Sequence, residues 1–248
     1  MKDKNKEKKE KKIEITFGNT GVKIVAKSDS NFEIVNPIYR TGKKTIIGSN
    51  AINLFEFKLK RIEILIKYIK KGDFLFETTL CRQIIVILTT AFEIYARMRF
   101  LELEKEGLKL NMDILYEKFI PEDIRQNVRE LIKRESINEK RSELEIFIER
   151  RNINFQEWAS FKKAYNKGYG LIIGNIEISN DILIYIQKLI EWRHKIIHSI
   201  IDSLAIDIDK NGKSIDTNER LAKISYKAFK KFIELFHKKT LELVDKEK

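Results

Sequence analysis

Two of the three histidines, His194 and His198, lie four residues apart, and Arg193 directly precedes the first of them. The surrounding residues have the apolar spacing of a helix, on which side chains four residues apart share a face. Two imidazoles on one face can bind a metal ion or act together in proton transfer. Residues 193–198 (RHKIIH) are therefore the segment whose residue types and spacing best suit chemistry.

A metal site is one interpretation of this spacing. In zinc proteases with two histidines four apart, the residue after the first histidine is a glutamate that acts as a base. Lys195 stands at that position in this chain, and no third histidine or cysteine lies nearby. Because a lysine beside the ligands opposes a divalent ion, the sequence predicts no metal site and no cofactor.

A structural interpretation also accounts for the segment. Arginine and histidine near the carboxyl end of a helix can cap its carbonyl groups and complement the negative pole of the helix dipole. This arrangement explains the cations without any catalytic role. A catalytic interpretation therefore requires a more specific sequence pattern.

The segment resembles the motif of the HEPN superfamily, all-α domains whose catalytic members carry arginine, a polar residue, three further residues and histidine. Arg193, His194 and His198 match the three defined positions. Residues 90–95 (TAFEIY) look like the start of the family's central helix, and the segment with Phe155, Gln156, Tyr165 and Gly170 is similar to the middle of stand-alone HEPN ribonucleases. The resemblance covers roughly residues 51–248. It implies an all-α, HEPN-like helical bundle that cleaves RNA in a toxin–antitoxin or antiviral defence role.

Metal-independent RNA cleavage gives each residue of the motif a role. The reaction needs a base for the ribose 2′-hydroxyl, an acid for the leaving 5′-oxygen and a fixed cation for the charge at phosphorus. The resemblance implies His198 as base or acid, Arg193 as the cation and His194 as an orienting or secondary proton-transfer group. The alternative is a catalytically inactive HEPN module that binds RNA, a nucleotide or a protein partner.

Arg193 and His198 are five residues apart, so they point roughly 140° away from each other on a straight helix. On one straight helix, the two side chains therefore cannot both point directly at the same phosphate. The resemblance implies a solution, because HEPN dimers bring two motifs together in one cleft. We expect a homodimer with a composite active site, with RNA and an antitoxin protein as further partners.

Other polar residues are weaker candidates. Glu93 follows a long apolar run and is either an auxiliary site residue or the point where its helix reaches the surface, and we favour the second. Lysine pairs most often lie on solvated faces, yet a basic set is able to guide an RNA backbone. That set comprises Arg150, Arg151, Lys162, Lys163 and Lys195.

The elements that position these residues are predicted to be helices, because the chain has only 2 prolines and 10 glycines. Residues 84–92 are apolar on nearly all sides, so we expect their helix at the centre of the bundle. The final helix is predicted to begin at Asp216, after a polar loop at residues 207–214. The other predicted helices span residues 53–69, 77–106, 111–119, 121–134, 136–150, 155–166 and 179–198.

The amino-terminal part has a different character. Residues 1–12 are rich in lysine and are predicted to form a disordered tail. Residues 13–50 alternate apolar and polar side chains around turn signals, which predicts a small β-rich segment. Residues 51–248 then form the predicted helical, HEPN-like domain.

Composition and charge limit the classes of protein to which this chain can belong. The net charge of +12 permits a polyanionic partner, but a lysine-rich background explains it equally well. The single cysteine, Cys81, lies in an apolar run, which predicts a buried residue and a reducing compartment. No uncharged stretch is long enough to span a membrane, and the charged amino terminus is unlike a signal peptide. The sequence therefore predicts a cytoplasmic protein without a membrane partner.

Overall fold

The computed structural model describes residues 13–17, 22–26, 32–34, 49–69, 72–198, 205–208, 211–212 and 214–247. The chain divides into two compact units, residues 1–47 and 48–248. The first unit contains an antiparallel sheet in the order β1 (Ile13–Phe17), β2 (Val22–Ala26) and β3 (Phe32–Ile34). Ile24 of β2 pairs with Ile15 on one side and with Ile34 on the other. The predicted tail at residues 1–12 lies outside the described residues.

The second unit is helical, which confirms the predicted all-α fold class. Its described helices are α1 (Asn50–Lys67), α2 (Phe74–Lys105), α3 (Met112–Phe119), α4 (Glu122–Glu139), α5 (Glu143–Glu149), α6 (Trp158–Tyr169), α7 (Asn180–His198) and α8 (Glu219–Glu247). A short 3-10 turn at Ile173–Asn175 precedes α7. A two-stranded antiparallel hairpin, β4 (Ala205–Ile208) and β5 (Ser214–Asp216), lies between α7 and α8.

Helix α2 is the centre of the second unit and packs against α1, α5, α7 and α8. Ile84, Leu88 and Phe92 are buried on successive turns, which confirms the prediction of a central helix. The Phe92 ring is surrounded by aromatic rings of α6 and α8, with centroids 5.0 to 6.2 Å away. These rings belong to Trp158, Phe161, Phe229 and Phe232.

Helix α6 is held against α2 by two tyrosine hydroxyls that donate to backbone carbonyls. Tyr165 donates to the carbonyl of Ala96 at 2.7 Å, and Tyr169 donates to that of Phe100 at 2.8 Å. Gly168 allows this approach, since a Cβ atom there would lie 2.9 Å from the Phe100 ring. The segment that precedes α6 is thereby fixed beside α2.

A buried ionic network joins α1 and α8 to α2. Arg99 is fully buried and contacts Glu106 through two nitrogen–oxygen pairs, at 2.5 and 2.8 Å. Its guanidinium also contacts Glu102 at 3.2 Å and Thr240 of α8 at 2.9 Å. Glu102 accepts the amide of Ala51 at the start of α1, at 2.8 Å. Because each charge has partners, the cost of burying Arg99 is offset within the network.

The start of α8 differs from the prediction. Asp216 is paired in β5, so it is extended and does not cap the helix. Asn218 is the capping residue instead, and its Oδ1 accepts the amide of Leu221 at 2.9 Å. Glu77 of α2 accepts the amide of Glu219 at 2.8 Å. The predicted start at Asp216 is therefore wrong, because pairing of the hairpin extends two residues beyond the predicted loop.

Candidate active site

The histidine pair lies on the last two turns of α7, which ends at His198. Both imidazoles are exposed, and their ring centroids are 4.4 Å apart with planes inclined by 48°. The buried side chains of α7, among them Leu189 and Trp192, lie on the opposite side of the helix. Both rings are therefore accessible from solvent.

Arg193 lies on a different side of α7 from the histidines. It is half-buried, and its Nη1 donates to Oε1 of Gln156 at 3.0 Å. Its Nε is buried and has no hydrogen-bond partner within the described residues. Side chains five residues apart on a helix point roughly 140° away from each other. In one copy of the chain, the guanidinium of Arg193 and the imidazole of His198 therefore do not point to the same position.

A cleft of about 390 Å³ lies beside Gln156. Glu93 and Arg97 of α2 form one wall, and Arg151, Asn154 and Gln156 of the segment before α6 form another. Gln156 therefore belongs both to the cleft and to the contact with Arg193. Glu93 is half-buried and borders the cleft, which places the predicted auxiliary residue one side chain away from Arg193.

Lys195 is engaged by a carboxylate of the hairpin. Its Nζ lies 3.3 Å from Oδ1 of Asp207, and Oδ2 of the same carboxylate accepts the indole N–H of Trp192 at 2.8 Å. The hydrogen bond from Trp192, assisted by Lys195, lowers the pKa of Asp207 below its ordinary value. Asp207 thus anchors the motif-bearing end of α7 to β4, and Lys195 is partly neutralised.

The remaining basic candidates are spread over the surface. Arg150 is paired with Glu135, with Nε and Oε2 2.7 Å apart. Lys163 donates to the backbone carbonyl of Lys118. Lys162 is exposed on α6 and has no side-chain partner within the described residues. Of the predicted set, Arg151 alone borders the cleft.

The third histidine and the cysteine belong to the core rather than to this site. His237 Nδ1 lies 3.1 Å from the hydroxyl of Tyr95, and burial, with a smaller effect of Arg99, lowers the pKa of His237 to about 4. Cys81 is fully buried, which raises the pKa of its thiol to about 12. It is therefore the small buried residue that its apolar neighbours predicted.

Sequence analysis missed three polar residues of this region, namely Arg97, Asn154 and Asp207. Arg97 had a usable signal, because it follows Glu93 by four residues and so shares its helix face. Asp207 had none, since its contact with Trp192 joins α7 to a strand that the sequence did not predict. The role of Asn154 depends on a cleft formed by three separate segments, which local spacing does not reveal.

Among the described residues, no three or more histidine, cysteine, aspartate or glutamate side chains are grouped so as to hold a metal ion. None of the described helices combines the length and apolar character needed to cross a bilayer. Comparison with protein-family models, curated proteins and solved structures finds no significant match to this chain. Its function is therefore argued from the site itself.

Proposed function

We propose that this protein is a metal-independent endoribonuclease of the HEPN type, with Arg193, His194 and His198 as its catalytic residues. The observation that carries the proposal is the exposed pair of imidazoles, 4.4 Å apart, at the end of α7. Arg193 is held by Gln156 beside an open polar cleft on the adjoining side of the same helix end. A base, an acid and a phosphate-binding cation are thus presented within six consecutive residues.

The proposed reaction is attack of the ribose 2′-hydroxyl on the adjacent phosphorus. His198 takes the hydroxyl proton or protonates the leaving 5′-oxygen, and His194 orients the neighbouring ring or performs the second proton transfer. Arg193 binds the phosphate oxygens, on which negative charge develops in the transition state. The products are a 2′,3′-cyclic phosphate and a 5′-hydroxyl end, and DNA is not a substrate because it lacks the nucleophile.

The orientation of Arg193 supports a composite site formed by two copies of the chain. Arg193 and His198 lie on different sides of α7, so one phosphate meets both only if a second motif is brought to face the first. The end of α7 carries exposed Ile197, 47% accessible and directly before His198, which suits such an association. We place the protein in the cytoplasm, in a toxin–antitoxin or antiviral role, with an antitoxin protein as its regulator.

A catalytically inactive HEPN module that binds RNA or a nucleotide is the second candidate. The observation that favours it is the contact of Arg193 with Gln156, which directs the guanidinium away from the histidines. In this case the cleft binds its ligand, but no proton transfer follows.

The test is RNA cleavage by the purified chain in the presence of a metal chelator. Wild type is expected to cut RNA, leave cyclic phosphate ends and spare DNA of the same sequence. His198→Ala and Arg193→Ala are expected to abolish cleavage while remaining folded by circular dichroism. Arg134→Ala, an exposed change on α4 and away from α7, is the matched control and keeps full activity.

Three outcomes would contradict the proposal. Loss of activity in chelator would point to a metal-dependent nuclease, and equal cutting of DNA would exclude the 2′-hydroxyl mechanism. Retention of RNA binding without any cleavage would favour the inactive module. Sedimentation of the active species as a monomer would contradict the composite site alone.

A further inference from the structure

Three charged side chains border the cleft beside Arg193, of which Arg151 is exposed. Within the described residues, Glu93, Arg97 and Arg151 make no side-chain hydrogen bond or ion pair, although all three border one space of about 390 Å³. Glu93 and Arg97 are both half-buried, and they lie one helical turn apart on α2. Partly buried charges are normally paired with each other or with a ligand. Opposite charges that face one cleft unpaired therefore indicate a site for a ligand with both donors and acceptors.

The rest of the lining is apolar but contributes little surface. Ile148, Ile153 and Phe155 are nearly fully buried, so more of the accessible lining is polar than apolar. A volume of about 390 Å³ lies within the roughly 300–1,000 Å³ of small-molecule sites, and polar side chains contribute more of this lining than apolar ones do. A nucleobase suits such a lining, because its faces are apolar and its edges carry donors and acceptors.

The segment that forms one wall is ordered before any ligand arrives. Asn154 Oδ1 accepts the amide of Gln156 at 3.0 Å, and its Nδ2 donates to Glu157 at 2.9 Å. Gln156 is fixed in turn by Arg193, which occupies its Oε1 and leaves its Nε2 as a donor. The cleft is thereby coupled through one side chain to the residue assigned to the scissile phosphate.

We infer that this cleft is a nucleobase subsite that selects guanine in the nucleotide next to the cleaved phosphate. Guanine is the base with two adjacent N–H donors, N1 and N2, and these suit the two oxygens of the Glu93 carboxylate. Its O6 and N7 acceptors suit a guanidinium, and Arg97 or Arg151 supplies one. The other three bases lack the adjacent pair of donors. The choice of RNA as the ligand rests on the proposed function.

The test is binding of guanosine 3′-monophosphate and adenosine 3′-monophosphate to the full chain, measured by calorimetry without turnover. Wild type is expected to bind the guanosine nucleotide about tenfold or more tightly, as a good bidentate contact provides. Glu93→Gln preserves size but replaces one acceptor oxygen with a donor, so it is expected to abolish this preference. Glu56→Gln, an exposed change elsewhere on the surface, is expected to preserve it.

Two results would overturn the assignment, namely equal affinity for the two nucleotides and a guanosine preference that survives Glu93→Gln. Arg97→Gln gives a second measurement, with weaker binding of the guanosine nucleotide expected, and unchanged binding by both Arg97→Gln and Arg151→Gln would count against the site. Urea denaturation verifies that each variant is folded.

Failure of the subsite and failure of the proposed nuclease are distinguishable. Glu93-dependent guanosine binding without RNA cleavage would refute the nuclease and leave the subsite in place. Cleavage of RNA with no guanine preference, in binding or in the mapped cut positions, would refute the subsite alone.

Discussion

Arg97 and Arg99 lie two residues apart on α2, yet their surroundings are opposite. Arg99 is fully buried and contacts Glu102, Glu106 and Thr240. Arg97 is half-buried, borders the cleft and has no side-chain partner within the described part of the chain. Every guanidinium nitrogen of Arg99 therefore has an acceptor, whereas Arg97 has none within the described residues. We call these the saturated and the unsaturated side of α2.

The difference separates charges that stabilise the fold from charges whose hydrogen-bonding groups are available to a ligand. A buried arginine in which every guanidinium nitrogen has an acceptor stabilises the arrangement of α1, α2 and α8 and is not accessible to a substrate. Unsaturated charges beside a cleft contribute little to folding and keep their hydrogen-bonding capacity. The comparison thus assigns stability to the region around Arg99 and binding to the region around Arg97.

The largest expected effect is on the saturated side. Arg99→Met leaves Glu106 and Glu102 without their cation and Thr240 without its donor, so the free energy of unfolding is expected to fall by about 3–5 kcal/mol. Arg97→Met removes no hydrogen bond or ion pair within the described residues, and it is expected to change the free energy of unfolding by less than about 0.5 kcal/mol. Urea denaturation of both variants measures the contrast, and equal losses would remove the basis of the comparison.

A smaller effect is expected where α6 packs against α2 at Phe100, the residue that follows Arg99. In Gly168→Ala the added Cβ meets the Phe100 ring at 2.9 Å, among aromatic side chains that have little room to move. Overpacking costs about 1–3 kcal/mol, which the better helix propensity of alanine offsets by roughly 1 kcal/mol. We expect a net loss of up to about 2 kcal/mol in thermal or urea unfolding.

Gly174→Ala is the matched control for that substitution, because no atom lies within 4 Å of the Cβ position there. Its unfolding free energy is expected to stay within about 0.5 kcal/mol of wild type. Comparable losses in the two variants would show that the close approach of α6 and α2 is not what makes Gly168 necessary.

Features that depend on local interactions could be predicted from the sequence, whereas contacts between residues distant in the sequence could not. The apolar run at residues 84–92 predicts a buried central helix because burial on all sides leaves a local signature. The shared face of His194 and His198 follows from helix geometry alone. The contact between Arg193 and Gln156 joins positions 37 residues apart, so no local pattern encodes it.

Element ends were harder to predict for a related reason. The sequence predicted a helix end near residue 134, but α4 continues to Glu139, since no glycine or proline interrupts it. Lys140 ends the helix in the left-handed region, with φ of 54°, a conformation usually supplied by glycine. The turn is closed by two hydrogen bonds between Ser136 and Arg141, from the amide of Arg141 at 3.1 Å and from the hydroxyl of Ser136 at 2.6 Å. A lysine at residue 140 gives no warning of this conformation.

The pH dependence of stability also tests the saturated side, because His237 packs against Tyr95 near Arg99. Burial holds the pKa of His237 at about 4 in the folded chain, against an ordinary value of 6.5. The unfolded chain therefore binds more protons between these values, and stability is complete above about pH 6.5 and is lost as pH falls towards 4. After allowance for the partial exposure of the ring, we expect a loss of roughly 1–2 kcal/mol.

His237→Gln is the control for this titration, since glutamine keeps a polar group near the tyrosine hydroxyl but has no proton to gain. Urea denaturation at pH 5.0 and 6.5 is expected to show a smaller difference in the variant than in wild type. An equal difference in both proteins would assign the titration to other groups, chiefly the carboxylates.

The smallest expected effect is on the unsaturated side. Glu93→Gln removes a half-buried charge that has no partner within the described residues, so nothing that stabilises the fold is lost. The free energy of unfolding is expected to be unchanged or to rise by up to about 1 kcal/mol, because an unpaired carboxylate is costlier to desolvate than an amide. A loss above about 1 kcal/mol would mean that Glu93 stabilises the fold as Glu106 does. If Glu93→Gln instead keeps its stability and loses the preference for guanosine, the Glu93 carboxylate contributes to binding and not to folding.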